Sequence, residues 1–423
     1  MTPSIKQRIE QIRRREVPEG YKKEKLGIVP EEWNETSFST LFTSTSDYTD
    51  DLDKYPLYSL TIEDGITPKT ERYKRSHLVK KEDSYKIVRP NDYAYNPMNL
   101  RFGAVARHKG DMPVAVSGYY DIFTTVHESD LPFMDSFLTC GPMITYYNRV
   151  STGSLVEKQR VHFSQFLEFM LPLPSINERT KIAAILTTQD KVIELKEKRL
   201  AQKQRQKKYL MQQLLTGKKR LPRFSGEWKA NRLRNITTRH TKRNTIGNTN
   251  VLTISAQYGL INQAEFFNKA VASDDKSNYF LLEKGDFAYN KSYSNGYPFG
   301  AIKRLTRYEV GIVSPLYICF RIKEGSVSGE YLEQYFEAGL MNHEIQAFAQ
   351  EGARNHGLLN IAVDDFFNSK ILLPSPEEQT AIAEVLSASD REIGLLWQDI
   401  EHEKQKKKAL MQLLLTGIVR VKV

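Results

Sequence analysis

A chain of 423 residues has room for about two to four ordinary domains with cores of their own, and its 40% hydrophobic and 11% aromatic content is that of globular material, not of a disordered tail. The net charge of +10 points towards a polyanionic partner. Only Cys140 and Cys319 occur, far apart, which excludes a disulfide framework and a cysteine zinc site. No stretch reaches the roughly 18 apolar residues that span a bilayer, and MTPSIKQRIEQIRRR lacks the apolar region of a signal peptide, so the expectation is a soluble, cytoplasmic protein with no membrane partner.

The chain opens with residues 1–33, a basic helix and a connector. In SIKQRIEQIRRRE, Ser4 can cap the helix while Ile5, Ile9 and Ile12 share a face. Arg13–Arg15 suit phosphates, or simply a solvated face or docking arm. A Pro- and Gly-rich connector then runs to Trp33, and it has an echo in LPRFSGEW, which ends at Trp228. Each tryptophan stands at the threshold of a globular segment.

Two such segments follow, 34–171 and 222–371. Both are rich in Tyr, Phe, Val, Thr, Asn and Gly, with short alternating runs such as Tyr317-Ile-Cys-Phe-Arg-Ile, the composition of strands and loops. They are weakly alike but share a skeleton. Asn91-Asp-Tyr-Ala-Tyr-Asn matches Gly285-Asp-Phe-Ala-Tyr-Asn, Phe102-Gly-Ala-Val matches Phe299-Gly-Ala-Ile, and Val116-Ser-Gly-Tyr-Tyr matches Val313-Ser-Pro-Leu-Tyr. A common scaffold with diverged loops explains that order.

Each globular segment is followed by a helix, over 172–221 and 372–423. Leu173–Arg220 and Leu373–Arg420 align without a gap at an offset of 200 residues, and 21 of the 48 positions are identical. A long internal repeat dictates architecture. Ser175 and Glu178 stand at capping-box spacing, as do Ser375 and Glu378. Apolar residues recur at helical period, and Gly217 and Gly417 supply the left-handed stop. About 39 residues at ~1.5 Å each give a rod of roughly 60 Å, longer than one compact domain buries, so a spacer or two-helix coiled coil is expected.

The sequence carries few marks of catalytic chemistry. Asn96-Pro-Met-Asn99 is only superficially like the Asn/Asp-Pro-Pro-aromatic motif of amino-methyltransferases, and a turn after a strand accounts for it. Gly217-Lys-Lys ends a helix instead of opening one, so it is no phosphate loop. HExxH, CxxC and GxSxG strings are absent from the sequence. The expectation is a binding protein with no metal site, no catalytic residues and no cofactor of its own.

Basic and polar-aromatic loops are the better candidates. Lys69, Arg72, Tyr73, Lys74 and Arg75 share one run; Asn96, Asn99 and Arg101 follow the Tyr-Ala-Tyr strand, with Arg107 and His108 beyond. In the second half Lys291, Tyr293, Asn295 and Tyr297 occupy the place of Asn96–Arg101, and Arg354, Asn355 and His356 lie in a later loop. Arg can fork onto guanine and Asn onto adenine, while Lys and Tyr more often fix phosphates. Singly each could be a solvated loop; their correspondence between the halves is what recommends them.

The paired L-P-S-x-x-E-x-T-x-I-A-x-x-L starts and K-K-x-L-M-Q-x-L-L-T-G ends, with Gly226-Glu-Trp228 and Gly285-Asp-Phe-Ala-Tyr-Asn290, resemble the DNA-specificity subunits of type I restriction-modification systems. The resemblance runs from about Gly27 onwards, and Asn177-Glu-Arg departs from the Glu-Gln dipeptide kept at Glu378-Gln379. It implies two α/β (α+β) target-recognition domains in tandem, separated by two long antiparallel helices, each domain reading half of a bipartite, gapped site in double-stranded DNA. It implies two methyltransferase partners that use S-adenosylmethionine, and restriction subunits that use ATP and Mg. Their docking surface is expected on the helices, at Ile182, Ile185, Leu186, Ile193, Leu210 and Leu214 and at Ile382, Val385, Leu386, Ile393, Leu410 and Leu414, although part of that stripe must seal the helices together. Other readings are the recognition subunit of a fused type II enzyme, a basic coiled-coil scaffold, and a divergent nucleic-acid enzyme.

Overall fold

The computed structural model describes residues 3–45, 47–69, 85–155, 159–255, 259–267, 275–293, 296–351 and 359–422. Its contacts divide the chain into two compact units. The first is Met1–Glu197 with Asp399–Val423, the second Lys198–Gln398. The boundary falls inside both long helices, whereas the sequence-based partition keeps helices and domains apart.

In the first unit, strands β1 (Phe42–Ser44), β2 (Tyr93–Tyr95), β3 (Val105–Arg107) and β4 (Asp121–Thr125) form an antiparallel sheet in the order β3-β2-β4-β1. The pleat sends alternate side chains to opposite faces. Tyr93 and Tyr95 therefore enter the large aromatic core, while Ala94 faces a smaller one made by Val88, Val114, Val116 and Ile122. The small residue between two large ones is what lets a second sheet, Tyr85–Val88 against Val114–Ser117, pack on that face.

The second unit repeats this. Strands β5 (Thr237–Arg239), β6 (Phe287–Asn290), β7 (Ala301–Arg304) and β8 (Ile318–Ile322) run in the order β7-β6-β8-β5. Phe287 and Tyr289 enter its large core and Ala288 its small one. Cross-strand aromatic stacking recurs as well: Tyr93 lies 5.2 Å from Phe123 at 9°, and Phe287 lies 5.2 Å from Phe320 at 7°. Such pairs add about 0.5–1.5 kcal/mol beyond burial. The turn before each central strand needs a positive φ, met by Asn91 (72°) and Gly285 (98°); Asn tolerates that region better than other side chains do.

The central helix, Ile176–Leu214, and the terminal helix, Pro376–Leu414, each have 39 residues. Ser175 and Ser375 Oγ accept from the N–H of Glu178 and Glu378 at 3.3 Å, and Gly217 and Gly417 are left-handed at 70° and 69°. The capping box is only half formed, because each carboxylate is engaged elsewhere. In the first unit Glu178 receives Arg420 Nε and Nη2 at 2.6 and 3.0 Å and Trp33 Nε1 at 3.3 Å. In the second, Glu378 receives Arg220 at 2.5 and 2.7 Å and Trp228 at 3.2 Å. Each buried carboxylate thus ties a helix start, a domain entry and the end of the other long helix.

Helix pairing within each unit is antiparallel. In the first, Asp190 meets Lys407, Glu197 meets Lys404, and Lys196 meets Asp399 and Glu403. In the second, Lys203 meets Glu392 and Lys207 meets Asp390. The apolar stripe seals cores. Ile182, Leu186 and Leu414 are buried in the first unit's core, Leu214, Ile382 and Leu386 in the second's. No helix of the described residues is long and apolar enough to cross a membrane.

Candidate nucleic-acid interface

In the first unit, the loop after β2 is shaped by Asn96. Its Oδ1 accepts from Met98 N–H at 3.1 Å, and its carbonyl accepts from the N–H groups of Asn99 and Leu100. The turn that the sequence suggested is therefore the work of this side chain. Asn99 remains exposed. Arg101 is half-buried, donates to Gln159 Oε1 at 3.0 Å and lies 4.6 Å over the Phe102 ring, which is itself exposed. Lys69, at the end of the Tyr58–Thr61/Gly65–Pro68 hairpin, is half-buried, and Arg72, Tyr73, Lys74 and Arg75 lie outside the described residues.

Two neighbouring candidates are held by the fold. Arg107 forks onto Asp135 at 2.9 and 2.8 Å and reaches Asn91 Oδ1 at 2.6 Å. Burial opposes ionisation of Asp135, but the hydrogen bond from Arg107 and the charge of Lys109 outweigh it and hold the carboxyl below its ordinary range. His108 is buried, with Nε2 2.8 Å from Met112 O. A cavity of about 410 Å³ opens beside this network, lined by Glu63, Asp64, Arg107, His108, Lys109 and Asp135 among others. Its charges are mixed, so it is no phosphate trough.

The second unit builds the same turn with Asn290, whose Oδ1 accepts from Ser292 N–H at 3.1 Å. Gly300, at φ 79°, closes the loop where an added Cβ would lie 2.2 Å from Asn290 O, so only glycine fits. Lys291 is half-buried, and its carbonyl accepts from Leu359 N–H at 3.1 Å, which ties this loop to a hairpin strand flanking residues 352–358. Tyr293 is 63% exposed and presents its ring to solvent. Tyr297 is not free to do so. Its hydroxyl donates to Glu337 at 2.6 Å and accepts from Lys303 at 2.8 Å, and burial followed by the Glu337 charge raises its pKa. Asn295, Arg354, Asn355 and His356 lie outside the described residues.

One cationic run escaped the sequence reading. Thr238–Arg243, TRHTKR, leaves β5 with Arg239, Lys242 and Arg243 exposed, where the first unit has the neutral Thr43 and Ser44. Its signal was plain in the sequence: three cations in five residues beside a strand. Among the described residues no group of three His, Cys, Asp or Glu side chains could hold a metal ion.

Burial takes Ile182, Leu186, Leu214, Ile382, Leu386 and Leu414 out of reach of a docking partner, because their side chains complete the two cores; Ile193, at 8% exposure, is also withdrawn. Leu210, Val385, Ile393 and Leu410 are half-buried, and Ile185 alone of the stripe is exposed, at 39%.

No family model matches the sequence. Solved structures do share its fold. The crystal structure of a type I restriction-modification system S subunit from M. genitalium matches with a TM-score of 0.51 over 90% of this chain and 96% of that one, at 10% identity. A structure described as the structural basis underlying complex assembly and conformational transition of the type I R-M system matches with 0.52 over 92% and 99%, at 12% identity. The tandem arrangement of mixed helix-and-strand halves with two long helices is the fold of those proteins.

Proposed function

We propose that this chain is the non-catalytic, sequence-specific DNA-binding subunit of a type I restriction-modification complex. The observation that carries the reading is the duplication: two sheets of identical strand order, each sealed by the first half of one long helix and the last half of the other. Two equivalent readers in one chain suit a bipartite target, because B-DNA itself presents a local dyad. Each unit reads one half-site, and the unread gap is set by the helices. The polar and aromatic groups after the central strands, exposed Asn99 and Phe102 in one unit and half-buried Lys291 with exposed Tyr293 in the other, are the base- and backbone-facing set, with Arg239, Lys242 and Arg243 neutralising phosphates.

Two methyltransferase subunits dock on the long helices, and the restriction subunits join them; S-adenosylmethionine, ATP and Mg belong to those partners. The docking faces include exposed side chains that recur in both copies, among them Lys208 with Lys408 and Gln212 with Gln412, together with Ile185. Identical exposed residues at an offset of 200 suit two copies of one partner.

Single-base methylation mapping of the source organism, with and without the gene, tests this. Loss of adenine methylation at one gapped, two-part motif is expected. An unchanged methylome, combined with DNA affinity of the expressed complex that is flat in salt, would sink the reading and leave a coiled-coil scaffold, since neutralising each phosphate steepens the log–log salt slope by about 0.9.

A further inference from the structure

The repeat creates a recognition problem for the chain itself. The outer ion pairs of the two helix pairings, Asp190 with Lys407 and Lys207 with Asp390, use the same two residue types at equivalent positions. A central helix paired with the central helix of a second copy would satisfy them equally well, Asp190 against Lys207. The outer contacts therefore do not distinguish folding within one chain from pairing between two.

The inner contacts do. Lys196 lies 2.8 Å from Asp399 and 2.9 Å from Glu403, and Gln189 Nε2 donates to Glu403 Oε2 at 2.6 Å. Lys404 lies 2.8 Å from Glu197, and Lys203 lies 2.9 Å from Glu392. None of these is repeated at an offset of 200: the counterparts of Lys196, Asp399 and Glu403 are Leu396, Arg199 and Lys203. Pairing two central helices would set Lys196 against Arg199 and Lys203. Pairing two terminal helices would set Glu403 and Asp399 against Glu392. Residues 191–206 carry six cations and two carboxylates, residues 391–406 three cations and four carboxylates, so the bias is general.

We infer that the middle of the paired helices carries a charge code that selects the unlike helix and rejects the like helix of a second copy of this chain. Single exposed ion pairs stabilise little. Discrimination is larger, because the wrong pairing replaces each attraction by a repulsion, as charges flanking coiled-coil seams do. Lys196 and Glu403, with 26% and 16% of their side chains exposed, are the best screened from solvent of the inner set. The inference is independent of what the domains bind.

The full-length chain tests it by light scattering over a concentration series. The unaltered chain is expected at the mass of one copy. Lys196→Glu gathers three carboxylates in the chain's own pairing and suits Arg199 and Lys203 of a second copy, so its dimerisation constant should rise about tenfold. An unaltered chain that dimerises, or a single variant that stays at one copy, would each overturn the code. Loss of thermal stability with the single-copy mass retained also overturns it, since the pairs would then only stabilise. Should Lys196→Glu fail to fold, Lys196→Gln, which removes the attraction without adding repulsion, must raise the constant by a smaller factor; an unchanged constant refutes the proposal.

Discussion

The two units use one plan and finish it differently. Sheet order, the turn through Asn91 or Gly285, the aromatic stack and the carboxylate node recur at equivalent positions. The first unit adds an arm: the N-terminal helix Pro3–Arg13 and the hairpin Tyr21–Glu24/Gly27–Pro30 close over the end of the terminal helix. Tyr21 donates to Gly417 O at 2.8 Å, Arg8 to Ile418 O at 2.9 Å, and Trp33 is 1% exposed. Among the described residues the second unit has no such arm, and Trp228 stays half-buried against Gly217. The difference teaches that the buried carboxylate node is the shared requirement, whereas the shielding of its tryptophan is local.

Truncating the tryptophans should break the equivalence most. Trp33→Ala empties a sealed site and is expected to cost ~3–5 kcal/mol, Trp228→Ala about half that, in denaturant titrations followed by circular dichroism. Equal costs would mean that the arm shields nothing. A second asymmetry lies at the helix starts. Arg179 pairs with Asp130 at 2.8 Å in the first unit, while Gln379 accepts from Ser328 N–H at 2.9 Å and donates to Pro374 O at 2.9 Å in the second. Arg179→Gln strands the buried Asp130 and should cost about 3 kcal/mol. Adding Asp130→Ser copies the second unit's arrangement and should recover most of it; an additive double variant would refute the correspondence.

Acid should separate the helix pairings more gently. The hydrogen bonds from Lys196 and then Gln189 hold the Glu403 carboxyl at about 2, against an ordinary 4.5. A depressed folded-state pKa contributes stability above 4.5 that is lost as pH falls towards 2. Glu403→Gln should lower the melting temperature at pH 5–7 and flatten the decline between 4.5 and 2, so that the two proteins converge in acid; an identical acid profile in both proteins would contradict it. The smallest effect is one the units should share. Burial pushes both thiols, Cys140 and Cys319, up to about 12, so neither should react with a maleimide at pH 7 until the fold opens. Rapid labelling of one alone would show that its unit is open.

Much of this was legible in the sequence because it is local. The caps at Ser175 and Ser375, the left-handed stops at Gly217 and Gly417 and the Tyr-Ala-Tyr alternation all follow from helical period, pleat and permitted φ, which neighbouring residues set by themselves. The candidate site was legible only as a set of loops. Tertiary structure decided that Asn96 folds its own turn, that Arg107 and Tyr297 are held by Asp135 and Glu337, and that Tyr293 faces solvent. It also decided that Leu414, at the far end of the chain, completes the core of the first domain beside Ile182 and Leu186. An apolar stripe specifies that a face must be covered but not by what. That choice rests on contacts hundreds of residues apart, and no local rule contains them.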